Sequence, residues 1–462
     1  LASVALAHGF VVRLFDDLVA TPLLAFATQR HRASLGLMVT ASHNPPSDNG
    51  IKVYWQGGAQ ILPPHDAAIA RRIAALSEDE YIPRADLAQA RARGDLRSLG
   101  EPELEAYLDA VVGLLPEEEQ RASENLPVVA YSALCGVGSA FTRALAARTG
   151  VTLTHVTSQD LPRADFGGLS SPNPEHPAAL AELLDLAQRI DAPLAFCHDP
   201  DADRLAVIAR DETSTLRPLS GDEVGALLTD FLLSCEPAPA QVCVISTLVS
   251  GGLAERVARA RGAHFERTLT GFKWITERGR ALERSGLRYL FGYEEALGYC
   301  FGALGDDKDG IAAMHVLLQL ARRLQASGQG GLGGRLMQLA REHGLVRSRQ
   351  ITVSAAGEQG RASMQRIVGA LRSRAPDAWL PSGTVREDYL ERPERADLLI
   401  FRVPSGSRLC VRPSGTEPKL KFYLEASEPV RDGEALQAAG TRADAALTDL
   451  ARRVHAFADA LT

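Results

Sequence analysis

Four short segments gather nucleophiles, carboxylates and cations in turns rich in Gly and Pro. In TASHNPPSDNG (residues 40–50), Ser42 follows the apolar run LGLMVT, and the prolines, Asp48, Asn49 and Gly50 impose a structured loop. Such a loop can either hold its serine by backbone hydrogen bonds as an ordinary turn or present the hydroxyl to a cleft. A presented hydroxyl becomes a nucleophile only beside a base or a charge, and His43 and Lys52 are the neighbours of that kind. In HDPDADRLAVI (198–208), Asp199, Asp201 and Asp203 alternate between two apolar strands, which suits a hard cation such as Mg²⁺ better than a solvated acidic turn. A Ca²⁺ loop of the EF-hand kind is disfavoured, because Arg204 and Arg210 stand where it needs Gly and Glu. FGYEEALGY (291–299) places Glu294 and Glu295 between glycines and aromatics, either as acceptors for sugar hydroxyls or as exposed acids at a helix start. RPSGTEPKLKFY (412–423) surrounds a tight turn with Arg412, Ser414, Gly415 and Thr416, with Lys419 and Lys421 beyond. These groups can bind a phosphate monoester, or they form a hairpin turn with incidental charge. TGFKWI and DDKDGI each set one lysine, Lys273 and Lys308, in a turn where it is either solvated or free to neutralise phosphate or move a proton. YSALCGVGSAF has Phe141 where a dinucleotide fingerprint needs its third glycine, so no NAD site is expected.

The elements around these loops must position them. LGLMVT, LPVVAYSAL, APLAFCH and QVCVIST read as buried strands; AFTRALAARTG, PAALAELLDLAQRI, GDEVGALLTDFLL and GGLAERVARARG read as amphipathic helices. The alternation predicts α/β domains. From about Arg349 strands dominate and end in a long Ala-rich helix, a separate α+β unit. The expected partition is 1–125, 126–240, 241–348 and 349–462, and the Gly-rich stretch 325–335 reads as a connecting loop. With 462 residues, 45% of them hydrophobic, the chain suits several globular cores. A net charge of −7 excludes a generally nucleic-acid-binding surface, so any pocket for anions must be locally basic. No apolar run reaches the ~20 residues of a membrane span. The six scattered cysteines read as buried free thiols of a cytoplasmic protein. The chain opens on LASVALAHGF, a helix without a cap, and a preceding stretch is expected to be absent from this sequence.

In this order the motifs resemble the α-D-phosphohexomutase superfamily, which holds phosphoglucomutases and phosphomannomutases. TASHNP looks like its phosphoserine loop, DPDADR its metal loop, GYEEALG its sugar-recognition loop and RPSGTEP its phosphate-binding loop. SPNPE (171–175), TGFKWI and DKDG lean towards the branch with phosphopentomutase-like enzymes. The resemblance implies three similar mixed-sheet α/β domains and a C-terminal α+β domain around a central cleft. It implies Ser42 as phosphoryl carrier, with Asp199, Asp201 and Asp203 holding one Mg²⁺ completed by a phosphate oxygen on Ser42. Glu294 and Glu295, with Lys273, would bind sugar phosphate; Arg412, Ser414, Gly415, Thr416 and Lys421 would hold the non-reacting phosphate. Lys52 and Lys308 are the acid/base candidates, with His43 polarising and Arg204 steadying phosphate. Ala296 stands where the sugar loop often carries Ser, and the family's Gly-Thr-x-Gly-x-Arg segment upstream of the phosphoserine is missing. The implied reaction exchanges sugar 1-phosphate and 6-phosphate, of glucose or mannose, through a bisphosphate that also serves as activator. Phosphopentomutase and sugar-1,6-bisphosphate synthase are the alternatives within the family. A phosphatase using an Asp of DPDAD, or a non-catalytic sugar-phosphate-binding protein, stands outside it. The expected protein is a monomer or homodimer with no nucleic-acid or membrane partner.

Overall fold

The computed structural model describes residues 1–77, 79–120, 128–211, 213–354, 357–392, 395–413 and 419–461. It has a four-domain α/β architecture. Strands Leu35–Val39 and Ile51–Trp55 form an antiparallel pair, while Val12–Phe15 and Leu96–Leu99 form a parallel one. The second sheet orders its strands Leu153–His155, Val129–Ser132, Leu194–His198, Leu205–Arg210 and Leu216–Pro218. Its first three strands are parallel, Leu205–Arg210 returns antiparallel, and Leu216–Pro218 reverses again beside it. The third repeats the plan with His264–Thr268, Val242–Thr247 and Arg288–Glu294 in parallel and Gly298–Phe301 returning.

This repeated topology explains where the loops lie. The serine loop joins the first antiparallel pair, the aspartate loop joins Leu194–His198 to Leu205–Arg210, and the EEAL turn joins Arg288–Glu294 to Gly298–Phe301. Each therefore sits at the reversal between a strand and its antiparallel neighbour. Leu194–His198 is buried along its whole length, as the unbroken apolar run requires.

The three regions share one hydrophobic core, running from Leu23 and Tyr107 through Phe196 and Phe231 to Phe291 and Leu339. Helix Gly310–Ala326 lies inside it, with every residue from Gly310 to Arg322 buried. Each buried Val or Leu on it contributes about 1.5–3 kcal/mol, which makes the residue preceding its N-cap a rigid position. That residue is Lys308; the cap is Asp309, which accepts from the Ala312 amide at 2.8 Å and from the Tyr107 hydroxyl at 2.8 Å.

The C-terminal sheet is wholly antiparallel, in the order Leu345–Ser354, Lys419–Glu428, Arg408–Pro413, Leu399–Arg402, Val385–Asp388. Helix Leu436–Asp459 covers it over a separate core. The Gly-rich stretch differs from its expectation as a loop: residues 331–335 begin helix Gly331–His343. Leu332, Leu336 and Leu339 give that helix a buried face, and Gly333 lets it approach closely, since a Cβ there would lie 2.1 Å from the Arg210 carbonyl oxygen.

Candidate active site

The serine loop is closed at its base by the Thr40 amide, which donates to the Gly50 carbonyl at 3.0 Å. A Cβ on Gly50 would come 2.9 Å from the Thr40 carbonyl oxygen, so glycine is what allows the closure. Ser42 itself has φ 53°, a left-handed conformation that a non-glycine residue seldom adopts. Its amide donates to Thr40 Oγ1 at 2.8 Å, which holds that turn. The hydroxyl lies 3.1 Å from His43 Nδ1 and donates to Asp199 Oδ2 at 3.3 Å, across 157 residues of sequence.

Asp199, Asp201 and Asp203 each bring a carboxylate oxygen within 4.8 Å of the others, all three side chains being buried. Positive φ at Ala202 provides the bend. Thr21 Oγ1 donates to Asp201 at 2.7 Å and Thr40 Oγ1 at 3.3 Å, tying the first region to the loop. Lys52 reaches Asp201 at 2.7 Å and Asp203 at 2.5 Å, and Lys308 reaches Asp203 at 3.0 Å. Lys52 and Tyr54, two apart on one strand, point to the same side. Tyr54 donates to Asp307 at 2.6 Å, beside Lys308.

The donor set fits a hard dication. Among the described residues, Asp201 Oδ1 and Asp203 Oδ1 are buried without a hydrogen-bond partner, and buried carboxylate oxygens are costly to leave unpaired. Burial alone would raise Asp203, but Lys308, Lys52 and Arg204 outweigh it and hold this carboxyl ionised. Asp199 is pushed up, by burial first and then by the neighbouring Asp203 and Asp201 charges. Burial would lower Lys52 and Lys308, yet the aspartates win and keep both protonated. His43 is lowered to about 3, by burial and then by Arg204, so it is neutral near pH 7.

Arg204 donates through its backbone amide to Asp199 at 3.0 Å and pairs with Glu175 at 2.7 Å. Its Nε is buried without a partner among the described residues. Glu175 closes the SPNPE segment, and Ser171, which opens it, donates to the His43 carbonyl at 3.0 Å. That segment thus grips both the serine loop and the arginine, a role its sequence alone did not reveal.

The sugar-loop residues divide. Glu294 accepts the Gly271 amide at 2.5 Å, so the TGFKWI turn and the EEAL turn are joined. Its carboxyl is pushed up to about 7, by burial and then by Glu295. Glu295 turns to Ser250 and Thr247, which donate to it at 3.0 and 3.2 Å. Lys273 sits 3.9 Å from Asp66 and over the Trp274 ring. The Arg204–Gly298 bridge and the Leu205 amide bond to Leu297 weld the aspartate and glutamate loops together.

On the C-terminal sheet Arg412 lies opposite Lys421, and Tyr423, two residues along, shares the face of Lys421. The Tyr423 hydroxyl is raised by burial and then by Glu295, with Glu175 and Glu294 contributing and Arg412 opposing. This tyrosine, missed by motif reading, packs against the cluster of Leu248, Val249, Ile400 and Cys410 and so joins the C-terminal sheet to the 248–249 turn. Ser414, Gly415 and Thr416 lie outside the described residues.

Phosphoglucomutase/phosphomannomutase family models match in order: α/β/α domain I over residues 1–80, domain II over 105–212, domain III over 220–331 and the C-terminal domain over 371–440. A probable phosphomannomutase of Haemophilus influenzae is 35% identical, over 92% of this chain and 84% of its own. Human phosphopentomutase is 30% identical, over 93% of this chain and 74% of its own. The open form of pp63/parafusin, a phosphoglucomutase from Paramecium, superposes with a TM-score of 0.75 over 97% of this chain and 83% of that one, a likeness of fold at 18% identity. Four matched domains in sequence, with a serine set against a buried aspartate triad, establish that the chain belongs to the phosphoglucomutase/phosphomannomutase family of the α-D-phosphohexomutase superfamily.

Proposed function

We propose that the protein is a cytoplasmic phosphosugar mutase that exchanges sugar 1-phosphate and 6-phosphate, with Ser42 carrying the phosphoryl group. The observation that carries the reading is Ser42 Oγ held 3.3 Å from Asp199 within the aspartate triad. The six free cysteines accord with a reducing compartment.

Phosphoryl transfer asks the protein mainly for positioning and charge neutralisation. Asp199, Asp201 and Asp203 would hold Mg²⁺, which when bound offsets charge on the transferring phosphoryl group. Arg204 steadies phosphate oxygens, and Glu175 aims it. Phospho-Ser42 gives its phosphoryl group to one hydroxyl of a sugar monophosphate, forming a bisphosphate. That bisphosphate turns over in the cleft and returns its other phosphate to Ser42. Glu294 accepts hydrogen bonds from sugar hydroxyls while Arg412 and Lys421, with Ser414, Gly415 and Thr416, hold the distal phosphate. Lys308, fixed by the buried helix beside Asp203, is the acid that serves the sugar oxygen. Lys52, tied to two aspartates, serves as charge balance more than as base.

A pentose reading has its own support, because relatives named phosphopentomutase align over as much of the chain as the phosphomannomutase does. A coupled assay with glucose 1-phosphate, mannose 1-phosphate and ribose 1-phosphate, with bisphosphate and Mg²⁺, separates the two. Ser42→Ala is expected to abolish turnover of whichever sugar is used and to remove the phosphoryl mass increment from the Ser42 peptide. Equal rates in both proteins would overturn the proposal.

A further inference from the structure

A second concentration of cationic groups lies away from this chemistry. A cavity of about 580 Å³ opens between helix Leu253–Ala260, the end of strand His264–Thr268, the 403–407 turn and the middle of strand Lys419–Glu428. Arg256, Arg259, Arg267, Arg402 and Arg408 line it, against two carboxylates, Glu255 and Glu425. Five guanidinium groups face the two lining acids and Glu387, which pairs with Arg402, so the cavity keeps an excess of two positive charges in a chain whose net charge is −7. The cavity is at the Arg408 end of strand Arg408–Pro413, whereas Arg412 and Lys421, assigned above to the distal phosphate, pair near its other end, roughly 14 Å along an extended chain. It is therefore not the phosphate site of the cleft.

Its walls are built to different purposes. Arg267 and Arg408 form a fixed inner wall: Arg408 is buried and donates to the Leu248 carbonyl at 2.9 Å and to Glu425 at 3.0 Å. Arg259 and Arg402 form the mouth, with side chains 62% and 56% exposed, Arg259 paired with Glu255 and Arg402 with Glu387 through its Nε. Rigid and adjustable guanidinium forks around a space of this size match phosphate oxygens, which Arg binds in bidentate fashion. The volume lies within the range of small-molecule sites and exceeds what a single phosphate fills.

We propose that this cavity is a binding site for a small anion carrying two phosphoryl groups, separate from the catalytic cleft. Its position also makes it an effector site. Arg267 and Arg408 both donate to the Ser250 carbonyl, each at 2.6 Å. The hydroxyl of the same Ser250 donates to Glu295, next to Glu294. One residue thus joins the inner wall of the cavity to the sugar loop.

The test is calorimetric titration of the whole chain with inorganic pyrophosphate in metal-free buffer. Arg259→Ala/Arg402→Ala is expected to weaken one binding event at least tenfold, and that event must survive Arg412→Ala, which disables the cleft. Arg259→Lys/Arg402→Lys, which keeps charge but not the fork, should weaken the same event less. With the event saturated, hydrogen exchange across 247–252 should slow in the wild type and not in the double alanine variant. The proposal is overturned if no pyrophosphate binds once Arg412 is gone, or if every event survives the double alanine change.

Discussion

The aspartate loop and the glutamate loop occupy the same topological place in two similar sheets, and both hold acids buried or half-buried, yet Asp203 is held ionised where Asp199 and the glutamate-loop acids are pushed up. At the aspartate loop Lys52, Lys308 and Arg204 converge on the carboxylates, and Asp203 stays ionised despite full burial. At the glutamate loop the charge of Glu295 bears on both Glu294 and the nearby Asp222. Asp222 accepts the Gly251 amide at 2.6 Å, yet it is pushed up to about 7, by burial and then by Glu295. The comparison teaches that burial alone does not set protonation; the cations delivered from elsewhere in the chain do. At one loop Asp203 keeps its charge at any ordinary pH; at the other Glu294 changes from carboxyl to carboxylate near neutrality.

The comparison can be broken most severely at Asp203. Asp203→Asn removes the shared partner of two buried ammonium groups and should cost roughly 3–5 kcal/mol of stability in denaturant unfolding. The same change should lower Mg²⁺ affinity by more than about 100-fold in calorimetric titration.

Asp222 sharpens the other side. Its folded pKa lies above the unfolded value of 3.8, so the folded state keeps a proton that the unfolded state releases. Stability from this group is present below about pH 4, declines as pH rises, and levels off above about 7. Asp222→Asn should abolish that decline and exceed wild type by roughly 2–4 kcal/mol at pH 8 in parallel unfolding experiments.

Glu294 carries the contrast into binding. As its carboxylate forms through about pH 7, sugar-phosphate affinity should rise. Glu294→Gln should flatten that pH profile and weaken binding at pH 8 by about 1.5–3 kcal/mol, measured as the KM ratio of the two proteins. The smallest effect is expected at the aim of Arg204. Glu175→Gln should lower kcat on the order of fivefold, the equivalent of ~1 kcal/mol, with KM for the sugar nearly unchanged.

Much of this was legible from sequence, because each loop is local. TASHNP and DPDADR carry the residues that meet, and apolar flanks announced the strands that hold them. What the sequence hid were partners far apart in the chain. Nothing in IKVYW announces that Lys52 meets Asp201 and Asp203 about 150 residues later, since strand alternation gives a side but not a neighbour. Glu294 and Glu295 read alike, and only the Ser250 loop, brought in by parallel pairing, turns one of them away. The 325–335 stretch misled because glycine composition suggests flexibility, while close packing on Arg210 calls for the same residue.

The paired lysines have one more consequence. Three aspartates buried together would resist folding if their charge had to be met by ions from solution. Here the ammonium groups of Lys52 and Lys308 pair with Asp201 and Asp203, the Arg204 amide donates to Asp199, and the Arg204 charge adds to theirs, so much of that charge is met from within the chain. A dication held by these aspartates would therefore have to compete with Lys52 and Lys308 for the same carboxylate oxygens, which makes its affinity a difference between two sets of charges.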